Sequence, residues 1–206
     1  MSSQAQFWNR HAKGYAKRPV SDEQAYATKL KVTQDYLRPH MEVLELGCGT
    51  GTTALTHAPH VKHIRAIDIS QKMVDIARAK AEAQGIGNVT FECANLEYLE
   101  AHTGQYDVIM CHSILHLLED RKAVLEKVRR FLKPGGLLIS STACLGGRLW
   151  LLRLLLPLGR LFGLLPSVQF FTENELVTLM TDSGFQIDHR WAHGDGLTVF
   201  LVAKKS

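Results

Sequence analysis

Apolar and polar positions change their period repeatedly along this chain, and each change marks an element. Tyr26, Leu30, Thr33 and Leu37 recur at helical spacing, with Ser21 and Gln24 spelling a capping box ahead of them and Pro39 stopping the run. Val43-Leu-Glu-Leu46 is a short apolar run broken by glycines, the signature of a buried strand. Similar runs predict strands over His63–Asp68, Val89–Cys93, Tyr106–Cys111 and Leu137–Thr142. Helical stretches fall between them. Thr52 to Ala58 forms one; Ser70 caps a second that Gly85 closes; Asp120 caps a third with Val124, Leu125, Val128 and Leu132 inward. Thr172 with Glu175 makes another capping box, for a helix ending at Gly184. Phe185–Trp191 and Leu197–Val202, joined around Gly194-Asp-Gly196, predict a terminal hairpin. Strands alternating with helices specify an α/β fold with a parallel sheet.

The stretch with chemistry in it is the first strand and its turn. Gly47, Gly49 and Gly51 alternate directly after Glu45 and Leu46, and a helix follows. Glycine lets a ligand lie on bare backbone, and a helix start adds unsatisfied N–H groups. Such a turn is a nucleotide-type cradle. The spacing is G-x-G-x-G, with Thr52 where a dinucleotide fingerprint has its third glycine. Asp68 ends the next predicted strand about twenty positions after the first glycine, where a carboxylate accepts both hydroxyls of a ribose. His112 follows the fourth strand, and an imidazole there suits a general base or an acceptor-orienting group. His116 lies four residues on, the spacing of two ligands on one helical face, but the only nearby third ligand is Glu119 and no metal is expected.

Composition sets the bounds. At 206 residues, 46% apolar and 21% charged, the chain is expected to be one soluble domain over 1–206. A net charge of +4 is too small to point to nucleic acid, and no such partner is expected. Cys48, Cys93, Cys111 and Cys144 show no C-x-x-C spacing, so reduced thiols are expected. The first residues lack a charged-then-apolar leader pattern, which predicts a cytoplasmic location.

Leu44-Glu-Leu-Gly-Cys-Gly-Thr-Gly51 resembles, without a gap, the first motif of class I S-adenosylmethionine-dependent methyltransferases. Leu132-Lys-Pro-Gly-Gly136 resembles another of their recurrent phrases. The resemblance implies a Rossmann-like, mostly parallel seven-stranded sheet with an antiparallel terminal hairpin and helices on both faces. It also implies S-adenosylmethionine as methyl donor, leaving S-adenosylhomocysteine. The donor-binding positions it carries over are Glu45, Gly47, Cys48, Gly49 and Gly51 at the cradle. Asp68, Ile69 and Met73 follow at the second strand, with Met73 equally readable as core. Asn95, Leu96 and Cys111 complete the set; the family usually has aspartate where Asn95 stands. Trp8-Asn-Arg-His-Ala12-Lys-Gly-Tyr15 is similar to the family's aromatic N-terminal segment, which would close residues 1–40 over the donor as a helical cap and bring Tyr15 near it. A basic solvated arm is the other reading of that segment.

Cys111-His-Ser-Ile-Leu-His116 contains neither an Asn/Asp-Pro-Pro-aromatic run nor a Pro-Cys nucleophile. It resembles instead the small-molecule group, which includes quinone-biosynthesis methyltransferases. The expected acceptor is therefore small and lipophilic, a quinone precursor or lipid. Residues 145–168 form a leucine-rich insertion where that group builds acceptor specificity. Arg148, Arg153 and Arg160 argue against a membrane span there. A pocket lid, a segment lying peripherally on a membrane and a homodimer contact stay open. Two rival functions also stand: a nicotinamide-dependent oxidoreductase, and a donor-binding partner protein without catalysis.

Overall fold

A computed structural model describes residues 2–146, 168–193 and 197–206. Helices α1 (Ser3–Ala16) and α2 (Glu23–Tyr36) precede the sheet. Then come β1 (Glu42–Leu46), α3 (Thr52–His57), β2 (His63–Asp68), α4 (Gln71–Ala83), β3 (Val89–Cys93) and β4 (Tyr106–His112). They are followed by α5 (Arg121–Phe131), β5 (Leu132–Ala143), α6 (Glu173–Asp182), β6 (Phe185–His193) and β7 (Thr198–Lys205). The seven strands form one sheet in the order β3-β2-β1-β4-β5-β7-β6. The first five are parallel, and β7 runs antiparallel to both β5 and β6. This is the architecture implied by the cradle motif. Strand order reverses between β1 and β4, so a crevice opens beyond their carboxyl ends.

Continuous apolar strands make sense because both faces are covered. Leu44, Leu46 and Ile109 point to one core with Leu125, Phe131 and Met180; Val43, Val108 and Met110 point to the other with Val74 and Ala77. The period of two in a strand divides each run between the faces.

Several boundaries differ from the sequence pattern. Asp22, not Ser21, caps α2, its Oδ1 accepting from the Ala25 N–H at 2.8 Å. Helix α3 stops at His57, and a 3₁₀ turn over Ala58–His60 completes it around Pro59. Phe131 takes the last inward position of α5, while Leu132 already begins β5 by pairing with Tyr106. The Lys133-Pro-Gly-Gly136 phrase is therefore an irregularity inside an extended strand, with Gly135 at φ +72°, rather than a turn before it. The other capping box forms as expected: Thr172 and Glu175 bond reciprocally at the start of α6. Residues 147–167, most of the leucine-rich insertion, and 194–196, the hairpin turn, lie outside the described residues. Among the described residues no helix is long and apolar enough to cross a membrane.

Candidate active site

The glycine turn is held open by the neighbouring strand. Gly47, Gly49 and Gly51 all have positive φ, at 70°, 53° and 77°. Asp68, at the tip of β2, ties the turn in place: Oδ2 accepts from the Gly49 N–H at 2.9 Å and Oδ1 from the Ser70 N–H at 2.8 Å. Burial raises the Asp68 pKa, and these two amides pull it back down. Each carboxylate oxygen has a second lone pair, so a vicinal diol can still be accepted there.

Helix α1 lies across the cradle. Its Asn9 Oδ1 accepts from Ser70 Oγ at 2.8 Å and from the Lys72 N–H at 3.1 Å, which docks the helix on the N-terminus of α4. Trp8 and Tyr15 stack edge to face with centroids 6.2 Å apart, and a Cβ built on Gly49 would sit 3.8 Å from the Tyr15 ring. Tyr15 thus caps the glycine turn. It stays 44% exposed, and burial with Asp68 nearby raises its pKa.

Beneath this cover the crevice has two lobes that share Tyr15, Gly47, Gly49, His112 and Ser113. The first, about 840 Å³, is walled by Asp68, Ile69, Met73, Asn95 and Leu96 and continues to Ile114, Leu117 and Leu118. Met73 is both core and wall, at 2% exposure. Asn95 points its side-chain oxygen at the Glu97 N–H, 2.9 Å away, capping its own 3₁₀ turn. The second lobe, about 540 Å³, reaches from Glu45 and Cys48 to Lys29, His57 and Ser141.

Two positions expected at the site do not line either lobe. Gly51 is a packing glycine: a Cβ there would meet the Ala77 Cβ at 2.7 Å and the Phe91 ring at 2.8 Å. Cys111 is wholly buried in the core beside Leu115, and burial holds its thiol protonated. Burial likewise raises the Cys48 thiol well above its ordinary value.

The junction of the lobes is electrostatically unusual. Glu45 is 2% exposed, its Oε2 has no hydrogen-bond partner among the described residues, and burial reinforced by Asp68 lifts its pKa to about 8. Burial, with His57 and Lys29 adding to it, drives the His112 pKa down to about 3. His112 Nε2 is also shielded and unpartnered among the described residues. Its neighbour Ser113 has φ 54°, a strained value for a residue with a Cβ, and its N–H donates to the Ser141 carbonyl at 2.7 Å. His116 falls in a 3₁₀ turn while His112 ends a strand, so the four-residue spacing does not put them on one helical face. Among the described residues no cluster of three metal-ligating side chains forms.

Lys29, His57, Ser113, Ser141 and Asn9 were not legible as site residues. Their relation to the cradle is made by packing between elements, and no local spacing signals it.

A parallel sheet with this strand order, a glycine turn braced by an acid on the next strand and a terminal antiparallel pair define a class I methyltransferase fold. Comparison with known proteins agrees. Residues 43–136 match a family described as a methyltransferase domain. It is 27% identical over 150 residues to a ubiquinone biosynthesis O-methyltransferase of Coxiella burnetii, covering 70% of this chain and 63% of that protein. The chain therefore spans somewhat less than two thirds of that relative's length. Over 104 residues it is 36% identical to a malonyl-[acyl-carrier protein] O-methyltransferase of Bacillus anthracis, covering 50% of this chain and 37% of that one. The crystal structure of YcgJ from Bacillus subtilis superposes with a TM-score of 0.72 at 19% identity, covering 87% of this chain and 98% of that one, which shows the shared fold.

Proposed function

We propose that the chain transfers a methyl group from S-adenosylmethionine to a small acceptor with an apolar body. The observation that carries this is Asp68, half-buried at the cradle, with both oxygens fixed by backbone amides and lone pairs left for a ribose diol. The residues present fit the donor. The first lobe is large enough for a nucleoside, with Ile69 and Met73 as apolar walls and Leu96 opposite. Asn95 and Glu97 stand at its polar end. When bound, the donor supplies a methyl carbon already activated by its sulfonium.

The chain's share of the work is placement. Gly47 and Gly49 let the donor lie on main chain at the junction, and Tyr15 and Trp8 cover it from solvent. Holding two reactants in line can contribute roughly 7–11 kcal/mol, so no dedicated base is required. His112 faces the same junction, but an imidazole whose pKa is about 3 is a poor proton acceptor at neutral pH. Its role is to orient the acceptor through a neutral ring nitrogen. Pro19, Val20 and Leu30 offer an apolar rim for the acceptor at the second lobe. The leucine-rich residues 145–168 add a peripheral contact with membranes, to be checked by flotation with anionic vesicles.

Calorimetry with S-adenosylhomocysteine tests the reading. Wild type should bind and Asp68→Ala should lose about tenfold or more, the scale of charge-assisted hydrogen bonds to two hydroxyls. Undiminished affinity in Asp68→Ala, or a thermal shift with NAD but none with the methyl donor's product, would refute it.

A further inference from the structure

The second lobe carries more unanswered polarity than donor placement uses. Five ring, hydroxyl or carboxyl atoms in it are buried without a hydrogen-bond partner among the described residues: Thr33 Oγ1, Glu45 Oε2, both nitrogens of His57 and His112 Nε2. Thr33 and His57 are 1% and 0% exposed. Buried polar atoms are nearly always satisfied, so their concentration behind one lobe is unusual.

The sign of that ligand follows from the charges. Lys29, half-buried on α2, reaches across to β5 and donates from Nζ to Ser141 Oγ at 3.2 Å. Lys80 bonds the hydroxyls of Thr50 and Thr52 at 3.1 and 3.0 Å. Neither ammonium has a carboxylate within 4.0 Å among the described residues, and Arg18 stands at the same lobe. The single acidic side chain lining it is Glu45, which burial keeps protonated near neutral pH. Three cations therefore line the lobe against one protonated acid, with the field of Asp22 reaching Lys29 from outside the lining, so positive charge is in excess there.

Position completes the argument. Ser141 pairs directly with His112 across β5 and β4, so the Lys29 ammonium stands beside the junction of the two lobes. Outward from it, Pro19, Val20 and Leu30 form an apolar rim, with Val20 44% exposed.

We propose that the second lobe is a subsite for an acidic amphiphile, its carboxylate held by Lys29 beside Ser141 and its apolar body lying on Pro19, Val20 and Leu30. This rests on the methyl-transfer reading, since it takes the first lobe to be filled by the donor. The Lys29 ammonium and the Ser141 hydroxyl donate to the carboxylate's lone pairs, and the rim shields the ion pair from water. A neutral molecule of the same shape would forgo the direct ion pair with the ammonium in a partly dry site.

The test uses the full chain saturated with S-adenosylhomocysteine, titrated with octanoate and with octanamide. Octanoate should bind about tenfold more tightly, the expected scale for a hydrogen bond to a charged group. Lys29→Met should erase that preference while leaving S-adenosylhomocysteine affinity unchanged, which also reports that the variant is folded. Lys29→Arg should retain it. Equal binding of acid and amide, or a preference that survives Lys29→Met, overturns the subsite. A collapse of S-adenosylhomocysteine affinity in Lys29→Met also overturns it, because the lobe would then hold the donor's own carboxylate. Wild type that fails to bind S-adenosylhomocysteine at all would instead sink the methyl-transfer reading.

Discussion

Replacing Glu45 by Gln should make the protein more stable, and increasingly so as pH rises. Glu45 sits at the end of β1 with 2% exposure and an unpartnered Oε2. Burial and the nearby Asp68 raise its pKa from 4.5 to about 8, and the Ala54 N–H opposes them only in part. Between those two values the folded chain keeps a proton that the unfolded chain has released. Stability is therefore undiminished below the lower value and falls progressively as pH climbs to the upper one. At about 1.4 kcal/mol per pH unit, the loss reaches roughly 5 kcal/mol in alkaline solution, a large part of a domain's usual stability. Glutamine keeps the shape and an acceptor for Ala54, and it cannot ionise. Urea unfolding should show the two proteins alike near about pH 5 and the variant ahead by several kcal/mol near about pH 9, with unchanged slopes. A difference that stays flat across pH would refute the account, because the carboxyl would then not be a buried acid. A variant that falls behind at high pH would mean that ionised Glu45 has a partner.

Two further outcomes follow from the cradle. Gly51→Ala should cost roughly 1–3 kcal/mol in backbone strain and roughly 1–3 more in overpacking, since φ is +77° and the new Cβ meets Ala77 and Phe91 below 3 Å. Thermal melting reads this, and a wild-type melting temperature would refute it. Asn9→Ala removes the acceptor for Ser70 Oγ and the Lys72 N–H. Loosening α1 should weaken S-adenosylhomocysteine binding by about three- to tenfold, with faster proteolysis within α1; unchanged values for both would mean that α1 is held elsewhere.

The pattern of the chain by itself determined the order of elements, the glycine cradle, the acid at the next strand tip and the antiparallel ending. Each of these rests on local physics. Period two against period 3.6 separates strand from helix, glycine alone tolerates the positive φ of the turn, and caps bond to amides three residues away. Even so, Ser21 and Asp22 both offer a capping oxygen, and only the built helix chose Asp22. Lys133-Pro-Gly-Gly136 carries every sign of a turn, yet pairing of Leu132 with Tyr106 drew it into β5.

Tertiary structure decided which residues share the crevice. Gly51 and Gly49 look equivalent in the chain, but Ala77 and Phe91 crowd one while Tyr15 covers the other. A free imidazole titrates near neutrality, which suits His112 to act as a base or to orient an acceptor; burial, with His57 and Lys29 beside it, lowers its pKa and favours the orienting role. Lys29 and Ser141 stand 112 positions apart in the chain and 3.2 Å apart in space. Burial and charge proximity depend on where separate elements pack, and no spacing of residues along one element can encode them.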